Sequence, residues 1–447
     1  MKKYTVITLG CKVNQYESDA ITQSLKTSGW SPVLRQEEAD LCIINTCTVT
    51  QKASMQSRQA VRKAIRSSPR ARIVVTGCYA QTDPEIIKNI SGVHTIVGHS
   101  EKHNIPEIIT SENKKKQCGP GSCPELIWRD IRKESDFKAI PVAAFGSRTR
   151  PFLKIQDGCD AFCTYCVVPY ARGRSRSMPM ENVLENIKQI KQAGFREVVL
   201  TGVHLGCYGF DLSPKTGLSD LLCRIQQTAD IERVRLSSIE PHELTEGVIS
   251  LVKESDIFCH HFHIPLQSGD DNILKKMNRP YTNQLFRNLV LSIRNQIPDA
   301  AIGVDILVGF PGETENAFEN TYAIIDELPV SYLHVFPFSA RKETPASRFP
   351  SQVPGNIVKA RAHRLRKLGN AKRVDFHNNF LGKKVKVLIE GQYKGAEDLL
   401  KGTSSNYIPV LTRGVNDLKN TIVDIRLEKL NSSRSVFGTL CTHRIHL

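Results

Sequence analysis

Cys159-Asp-Ala-Phe-Cys163-Thr-Tyr-Cys166, directly behind the apolar run Phe152–Gln156, decides how the middle of this chain is read. The spacing C-x3-C-x2-C gathers three thiols in one loop without a fourth. A structural zinc site takes four ligands, and neither Val167 nor Pro169 can supply one. Three thiolates on a cubic iron–sulfur cluster instead leave one iron open to an outside ligand. Downstream, apolar strand patterns recur at Glu197–Thr201, Val234–Ser238, Phe262–Pro265, Ala301–Val308 and Tyr332–Phe338. Helical patterns such as Met180–Ala193, Leu218–Gln227 and Glu313–Glu327 separate them. Six strand–helix units predict a partial parallel α/β barrel, with the cysteine loop at the carboxyl end of its first strand, where such barrels place their chemistry.

Upstream, strands at Tyr4–Leu9, Leu41–Thr46, Arg72–Thr76 and His94–Val97 alternate with helices near Glu17–Ser28, Ser54–Ser67, Pro84–Ile90 and Ile105–Thr110. This alternation predicts a doubly wound parallel sheet. Cys11, Cys47 and Cys78, spaced 36 and 31 residues apart, each close one of these strands. In a parallel sheet the three strand ends share one edge, the edge at which such folds bind ligands. Gly10 and Gly77 precede two of them and leave room for a bulky group. The plainer alternative is three buried thiols packed as small hydrophobes.

The segment Ser111–Arg150, with Lys114-Lys-Lys116 and the turn-rich Cys118-Gly-Pro-Gly-Ser-Cys123, reads as a linker. After a basic helix near Ile357–Asn378 the pattern becomes all-β, with strands at Lys384–Ile389, Tyr407–Leu411, Thr421–Lys429 and Val436–Leu440. The expected units are therefore an N-terminal α/β domain (1–112), a linker (113–145), the central barrel (146–378) and a small C-terminal β-barrel (379–447).

Composition sets the class. With 447 residues, 40% apolar and 24% charged, the chain can fill several cores, which excludes a disordered or fibrous protein. No stretch approaches the roughly 18 apolar residues of a membrane span. The N-terminus is too short in apolar residues for an export signal, so a cytoplasmic location is expected. Lys and Arg number 61 against 45 Asp and Glu, a net +16. Residues 341–447 hold 21 of those cations against 8 acids, a basic lobe that suits a nucleic acid better than a membrane, since no apolar anchor accompanies it. Thirteen cysteines without an export signal point to metal binding or chemistry rather than disulfides. Of those outside the two triads, Cys42 and Cys223 are expected in the core and Cys118 and Cys123 offer a metal or redox pair. Cys207, Cys259 and Cys441 show no partner pattern.

Taken together, the two triads resemble those of the radical S-adenosylmethionine (SAM) methylthiotransferases, over essentially the full length of the chain. The supporting segments are Gly10-Cys-Lys-Val-Asn14, Asn45-Thr-Cys47, Thr76-Gly-Cys78, the Cys159–Cys166 loop, Val168-Pro-Tyr-Ala-Arg-Gly-Arg174, Pro265-Leu-Gln-Ser-Gly269 and Val304-Asp-Ile-Leu-Val-Gly-Phe-Pro-Gly-Glu313. Within that family Leu9–Ser18, Thr201-Gly-Val-His-Leu-Gly206 and Leu236-Ser-Ser-Ile-Glu-Pro241 look most like the enzymes acting on N6-threonylcarbamoyladenosine in tRNA.

The resemblance implies a C-terminal TRAM-like RNA-binding barrel and two 4Fe–4S clusters. Cys159, Cys163 and Cys166 would hold the radical SAM cluster, and Cys11, Cys47 and Cys78 an auxiliary cluster for sulfur insertion. The implied reaction attaches a methylthio group to C2 of adenosine 37, one SAM giving the methyl and a second giving a 5′-deoxyadenosyl radical. Implied partners are tRNA, an electron donor of flavodoxin or ferredoxin type and a sulfur source; a monomer is expected. Branches acting on isopentenyladenosine or on a ribosomal-protein aspartate are the alternatives, with a non-catalytic iron–sulfur RNA-binding or redox-sensing protein as a reading of another class.

Candidates for holding SAM follow the core strands: Gln156; Thr201, Gly202 and His204; Ser238 and Glu240; Gln267 and Ser268; Gly309 and Gly312. Many radical SAM enzymes carry Gly-Gly-Glu after the second strand, where this chain has Thr201-Gly-Val-His204. His261 and His263 are expected to line the barrel rather than to form a zinc site with His260. Arg172, Arg174 and Arg176 could meet RNA phosphates or SAM, or form a solvated turn. The basic helix bearing Arg361, Arg364, Arg366, Lys367, Lys372 and Arg373 could guide a tRNA backbone or serve as a solvated connector.

Overall fold

The structure, a computed structural model, describes residues 2–111, 123–138, 148–396, 398–432 and 434–441. The first strands are β1 (Lys3–Thr8), β2 (Ser31–Pro32), β3 (Leu41–Thr46), β4 (Arg72–Gly77), β5 (Thr95–Val97) and β6 (Glu125–Ile127). They pair in parallel in the order β2-β1-β3-β4-β5-β6. Every residue of β3 is buried, as a strand covered on both faces requires. Leu41 and Ile43 meet Ile21 and Leu25 of the helix Lys12–Thr27, while Cys42 and Ile44 meet Val61 and Ala64 of the helix Gln51–Ser67.

Two expectations change here. The helix expected from Glu17 starts at Lys12, with Cys11 as its extended N-cap and no side-chain cap to announce it in sequence. The segment expected to be linker supplies β6, which pairs with β5, and Ile131 just beyond it is buried. Cys118 lies outside the described residues; Cys123 is exposed.

The central unit contains β7 (Phe152–Lys154), β8 (Gln156–Asp157), β9 (Arg176–Ser177), β10 (Glu197–Thr201), β11 (Arg233–Leu236), β12 (His261–Gln267), β13 (Ala301–Val308) and β14 (Tyr332–Pro337). Parallel trios β7-β10-β11 and β12-β13-β14 are joined by bridges Val234–Phe258 and Ser238–His263, giving the six-stranded partial barrel. One apolar core runs beneath all six strands, through Leu153, Leu200, Val234, Ile264, Val304 and Leu333, and Tyr16 and Ala20 of the N-terminal unit enter it. Gln156 is not part of the first strand. With Asp157 it pairs antiparallel to Arg176–Ser177 and so braces the base of the cysteine loop.

The last unit is a closed barrel, in the order β15 (Lys384–Gln392), β16 (Leu399–Ser404), β17 (Pro409–Arg413), β19 (Ser435–Leu440), β18 (Ile422–Ser432). Strand β16, Leu-Leu-Lys-Gly-Thr-Ser, is not foreseen from sequence because it carries no clean alternation. The barrel docks beneath the central unit. Arg233 donates to the carbonyls of Lys386 and Thr403, Arg235 to those of Ser404 and Ser405, and Asn406 to that of Asp299. Among the described residues no helix is long and apolar enough to cross a membrane.

Candidate active site

The sheet order places its switch point between β1 and β3, the crevice where doubly wound folds bind ligands. Cys11 and Cys47 follow those two strands, and Cys78 follows β4, whose Gly77 is in register with Thr46. A Cβ on Gly10 would lie 2.9 Å from the Cys47 sulfur, and one on Gly77 would lie 2.4 Å from the Thr46 carbonyl oxygen. With φ of +101° and +99°, both positions require glycine. Cys78 and Cys47 are buried while Cys11 is exposed. Burial pushes the Cys78 thiol up to about 12, and the Cys11 and Cys47 sulfurs are close enough to add to the shift. Neutral thiols so buried become ligands when a metal centre displaces their protons. Two buried sulfurs and the exposed Cys11 around a glycine-cleared crevice fit a metal cluster better than a packed core.

The second triad is shaped by its own glycine. A Cβ on Gly158 (φ +74°) would lie 1.8 Å from the Arg174 carbonyl oxygen, so only glycine lets the loop turn back against Gly173, to which Cys159 N–H donates at 3.0 Å. Phe162, in the left-handed region at φ +44°, holds the turn between Cys159 and Cys163. Burial beside Cys163 pushes the Cys166 thiol up to about 12. Donors point at the sulfurs: Arg279 Nη1 lies 3.2 Å from Cys163 Sγ, and His204 Nδ1 lies 3.4 Å from Cys159 Sγ. Such donors suit sulfurs that carry negative charge. The loop itself brings three thiols, which fit a cubane with one open corner, and the nearby Cys207 is engaged with His204 and Glu243. Arg279 was not singled out from sequence; it is fixed by Glu240 and by the Tyr281 hydroxyl.

A buried ionic cluster joins the triads. Arg172, immediately past the cysteine loop, donates to Glu17 (2.9 Å), Asp157 (2.8 Å) and the Asn14 side-chain oxygen (2.6 Å). Lys102 meets Glu17 at 2.5 Å, and Lys154 meets Glu17 at 3.3 Å and Asp157 at 2.8 Å. Burial would raise both carboxyls, yet the three cations hold them well below the ordinary carboxylate range. Asn14 in turn donates to the Leu9 and Thr46 carbonyls, one strand residue short of Gly10 and Cys47. Arg172 lies near enough to Cys78 and Cys11 to interact with both. Neither expectation for this turn holds for Arg172 or Arg176, which are buried; Arg174 alone is exposed.

The expected SAM residues divide. His204 and Glu240 line one cavity of about 710 Å³ together with Cys163 and Arg279. His204 Nε2 also meets Glu243 at 2.8 Å, and Cys207 lies beside both. Against the burial that would lower it, contacts with Cys159, Cys207 and Glu243 raise the His204 pKa. Gln156 is occupied structurally: its side-chain oxygen accepts from the N–H groups of Val203 and His204, and its amide donates to Asp157, Gly158 and Ser175. Gly202 packs on it, a Cβ there lying 2.9 Å from the Gln156 oxygen. Thr201 ends β10 and is buried; Ser238 is exposed and bridges to His263.

Gln267 closes β12 in the left-handed region, and Ser268 contacts Thr321. Gly309 donates to Glu313, and Gly312 donates to the Ser351 carbonyl. None of Gln267, Ser268, Gly309 and Gly312 lines the His204 cavity.

The three histidines separate as expected. His260 pairs with Asp299, while His261 and His263 sit with Tyr332 and Asp305 inside the barrel. Half of the basic helix, observed at Gly355–Asn378, serves structure. Arg361 binds Glu313 and Glu315, Arg364 binds Glu319, and Lys372 caps the Asp326 and Leu328 carbonyls. Of the other three, Arg366 and Arg373 line a cavity of about 500 Å³ with Arg434, and Lys367 is exposed. Cys223, expected in the core, faces solvent, whereas Cys42 is buried as expected.

Comparison with known proteins agrees with this geometry. Residues 3–98 match the uncharacterized protein family UPF0004, and residues 153–325 match the radical SAM superfamily. The chain is 39% identical to the threonylcarbamoyladenosine tRNA methylthiotransferase MtaB of Bacillus subtilis, over 94% of this chain and 93% of that protein. It is 35% identical to the tRNA-2-methylthio-N(6)-dimethylallyladenosine synthase of Clostridium tetani, over 95% and 94%. Among solved structures, the radical SAM methyltransferase TsrM of Kitasatospora setae shares the fold, with a TM-score of 0.57 at 15% identity, covering 78% of this chain and 75% of that one. On the strength of the full-length relatives and of two three-cysteine sites at the edges where the fold places them, the chain belongs to the radical SAM methylthiotransferase family.

Proposed function

We propose that this chain is a tRNA methylthiotransferase that places a methylthio group on C2 of N6-threonylcarbamoyladenosine at position 37, using SAM and two 4Fe–4S clusters. The observation that carries the reading is the pairing of two three-thiol sites through Arg172, which contacts the helix behind Cys11 and the strand before Cys159. Cys159, Cys163 and Cys166 would hold the cluster that binds SAM, and Cys11, Cys47 and Cys78 the auxiliary one. When bound at the first triad, such a cluster supplies the electron that converts SAM into a radical source, a chemistry no side chain offers for an unactivated aromatic C–H.

The chain's own residues do the rest. Arg279 and His204 donate to cysteine sulfurs, Gly10 and Gly77 keep the second crevice open, and the Arg172 cluster fixes one site against the other. His204 and Glu240 are the SAM-binding candidates that share a cavity with the loop; Thr201, Gly202, Ser238, Gln267, Ser268, Gly309 and Gly312 follow or end the core strands outside its lining. The reading includes a flavodoxin- or ferredoxin-type electron donor, a separate sulfur source, a monomeric protein and a cytoplasmic location.

The test is anaerobic reconstitution of the full chain, followed by incubation with SAM, dithionite, sodium sulfide as the sulfur source and tRNA bearing either threonylcarbamoyladenosine or dimethylallyladenosine. Nucleoside mass spectrometry should find the methylthio product only from the first. Product only from the second would overturn the substrate, and no SAM cleavage with either would overturn the enzyme.

A further inference from the structure

A third cavity, of about 330 Å³, opens between the N-terminal unit, the floor of the central barrel and the C-terminal barrel. Lys12, the residue after Cys11, enters it from above; Arg150 and Arg235 line its wall, and Tyr407 reaches in from the C-terminal barrel. Among its lining residues the cations Lys12, Arg148, Arg150, Arg235 and Lys401 face a single carboxylate, Glu390. Some of that charge is already matched. Arg148 pairs with Asp19, and Arg235 pairs with Glu197 and the Ser404 and Ser405 carbonyls.

Arg150 shares Glu390 at 2.9 Å and comes only within 4.0 Å of Glu197. Lys12 makes no hydrogen bond or ion pair with any described residue; the carboxylate that acts on it is Asp305, which His263 and His334 already engage. Tyr407 holds an unfavourable left-handed backbone (φ +65°) while stacking on His261 at 4.4 Å, and both Arg150 and Arg235 lie over its ring. Strain of that kind, kept by surrounding contacts, is concentrated at sites that bind or react.

We propose that this cavity takes the carboxylate of the threonylcarbamoyl substituent, with Lys12 and Arg150 as its charged partners. The inference rests on the substrate assigned above. Lys12 stands one residue from a ligand of the auxiliary triad, so an anion held by it lies beside the place where C2 must meet sulfur. A neutral dimethylallyl group would leave Lys12 without a partner and Arg150 with Glu390 alone, so the wrong ligand forgoes the charge-assisted contacts that the acid gains. Lys12 and Arg150 are therefore specificity-determining residues.

The test uses the full reconstituted chain without reductant, so that no turnover occurs, and anticodon stem-loop RNA carrying threonylcarbamoyladenosine, its methyl ester or plain adenosine. Binding is read by fluorescence anisotropy. The acid should bind roughly tenfold to a hundredfold more tightly than the ester, the range of a charge-assisted pair. In Lys12→Gln/Arg150→Gln that preference should vanish while ester binding stays the same, and Lys12→Arg should restore part of it. Equal binding of acid and ester by the wild-type chain would refute the proposal without need of a variant. Equal weakening of all three RNAs in the double variant would also refute it, identifying the residues as phosphate contacts or structural supports. If the double variant keeps its preference for the acid, the proposal falls and the substrate assignment stands. If the wild-type chain does not distinguish threonylcarbamoyladenosine from adenosine, the substrate assignment falls with it.

Discussion

Replacing Arg172 by methionine removes the cation that ties the two triads together while keeping most of the side chain's volume. Four charge-assisted hydrogen bonds go with it: two to Glu17 (2.9 and 3.2 Å), one to Asp157 (2.8 Å) and one to Asn14 (2.6 Å). Breaking a buried ion pair from one side costs about 3–5 kcal/mol. Here both carboxylates keep an ammonium, Glu17 that of Lys102 and Asp157 that of Lys154, so the lower end, about 3 kcal/mol, is expected. The chain's 2 tryptophans, Trp30 and Trp128, pack in the N-terminal unit, so their fluorescence during guanidinium unfolding of the apoprotein reports on the joined region.

The pH dependence has a definite sign. Glu17 and Asp157 have lowered pKa values in the folded chain, so their contribution is present above their unfolded values of about 4 and is lost as pH falls through the folded ones. Removing Arg172 raises the folded values, so the variant should lose stability at a higher pH than wild type. A destabilisation below about 1 kcal/mol, the scale of an exposed ion pair, together with an unchanged acid limb, would refute the reasoning.

Four further outcomes follow from the site and from the basic helix. Gly77→Ala places a Cβ against the Thr46 carbonyl at positive φ, so it should destabilise the chain by about 1 kcal/mol or more. It should also lower iron uptake, measured by iron content, while the Cys159 loop still loads. Arg279→Ala removes an N–H donor from the Cys163 sulfur and should make the reduction potential of the loaded site more negative, as read by potentiometric titration with electron paramagnetic resonance. Arg366→Ala/Arg373→Ala should flatten the salt dependence of tRNA binding, by about 0.9 in log–log slope for each phosphate that is no longer neutralised. Arg361→Ala should instead lower thermal stability, because that side chain is engaged with Glu313 and Glu315.

Much of the fold was legible because its strands are buried on both faces and stand out as continuous apolar runs; Ala301–Val308 was located to the residue. The placement of both cysteine groups was legible too, the second as a motif and the first only through the topology that brings strand ends together; their role as cluster ligands is proposed. What escaped was set by contacts between distant segments. β6 is three residues long and defined only by pairing with β5, and β16 lacks alternation. Arg172 and Arg176 read as a basic turn, because nothing local announces that Glu17, 155 residues away, will bury beside the first of them. Arg279 escaped for the same reason, its partner Cys163 lying 116 residues upstream. Lys12 carried no signal beyond its place after Cys11, since its surroundings come from three units of the chain. Gln156 misled in the opposite sense. It does follow the first barrel strand, but its amide spends its capacity on bracing the loop.

The central claim, two separate three-cysteine iron sites with different duties, is tested most directly by iron content and SAM cleavage measured together on reconstituted wild type, Cys159→Ala and Cys47→Ala. Wild type should carry about eight irons and each variant about four. Cys159→Ala should form no 5′-deoxyadenosine, whereas Cys47→Ala should still form it and yet yield no methylthiolated nucleoside. About four irons in the wild-type chain, or abolition of SAM cleavage in both variants alike, would contradict the account.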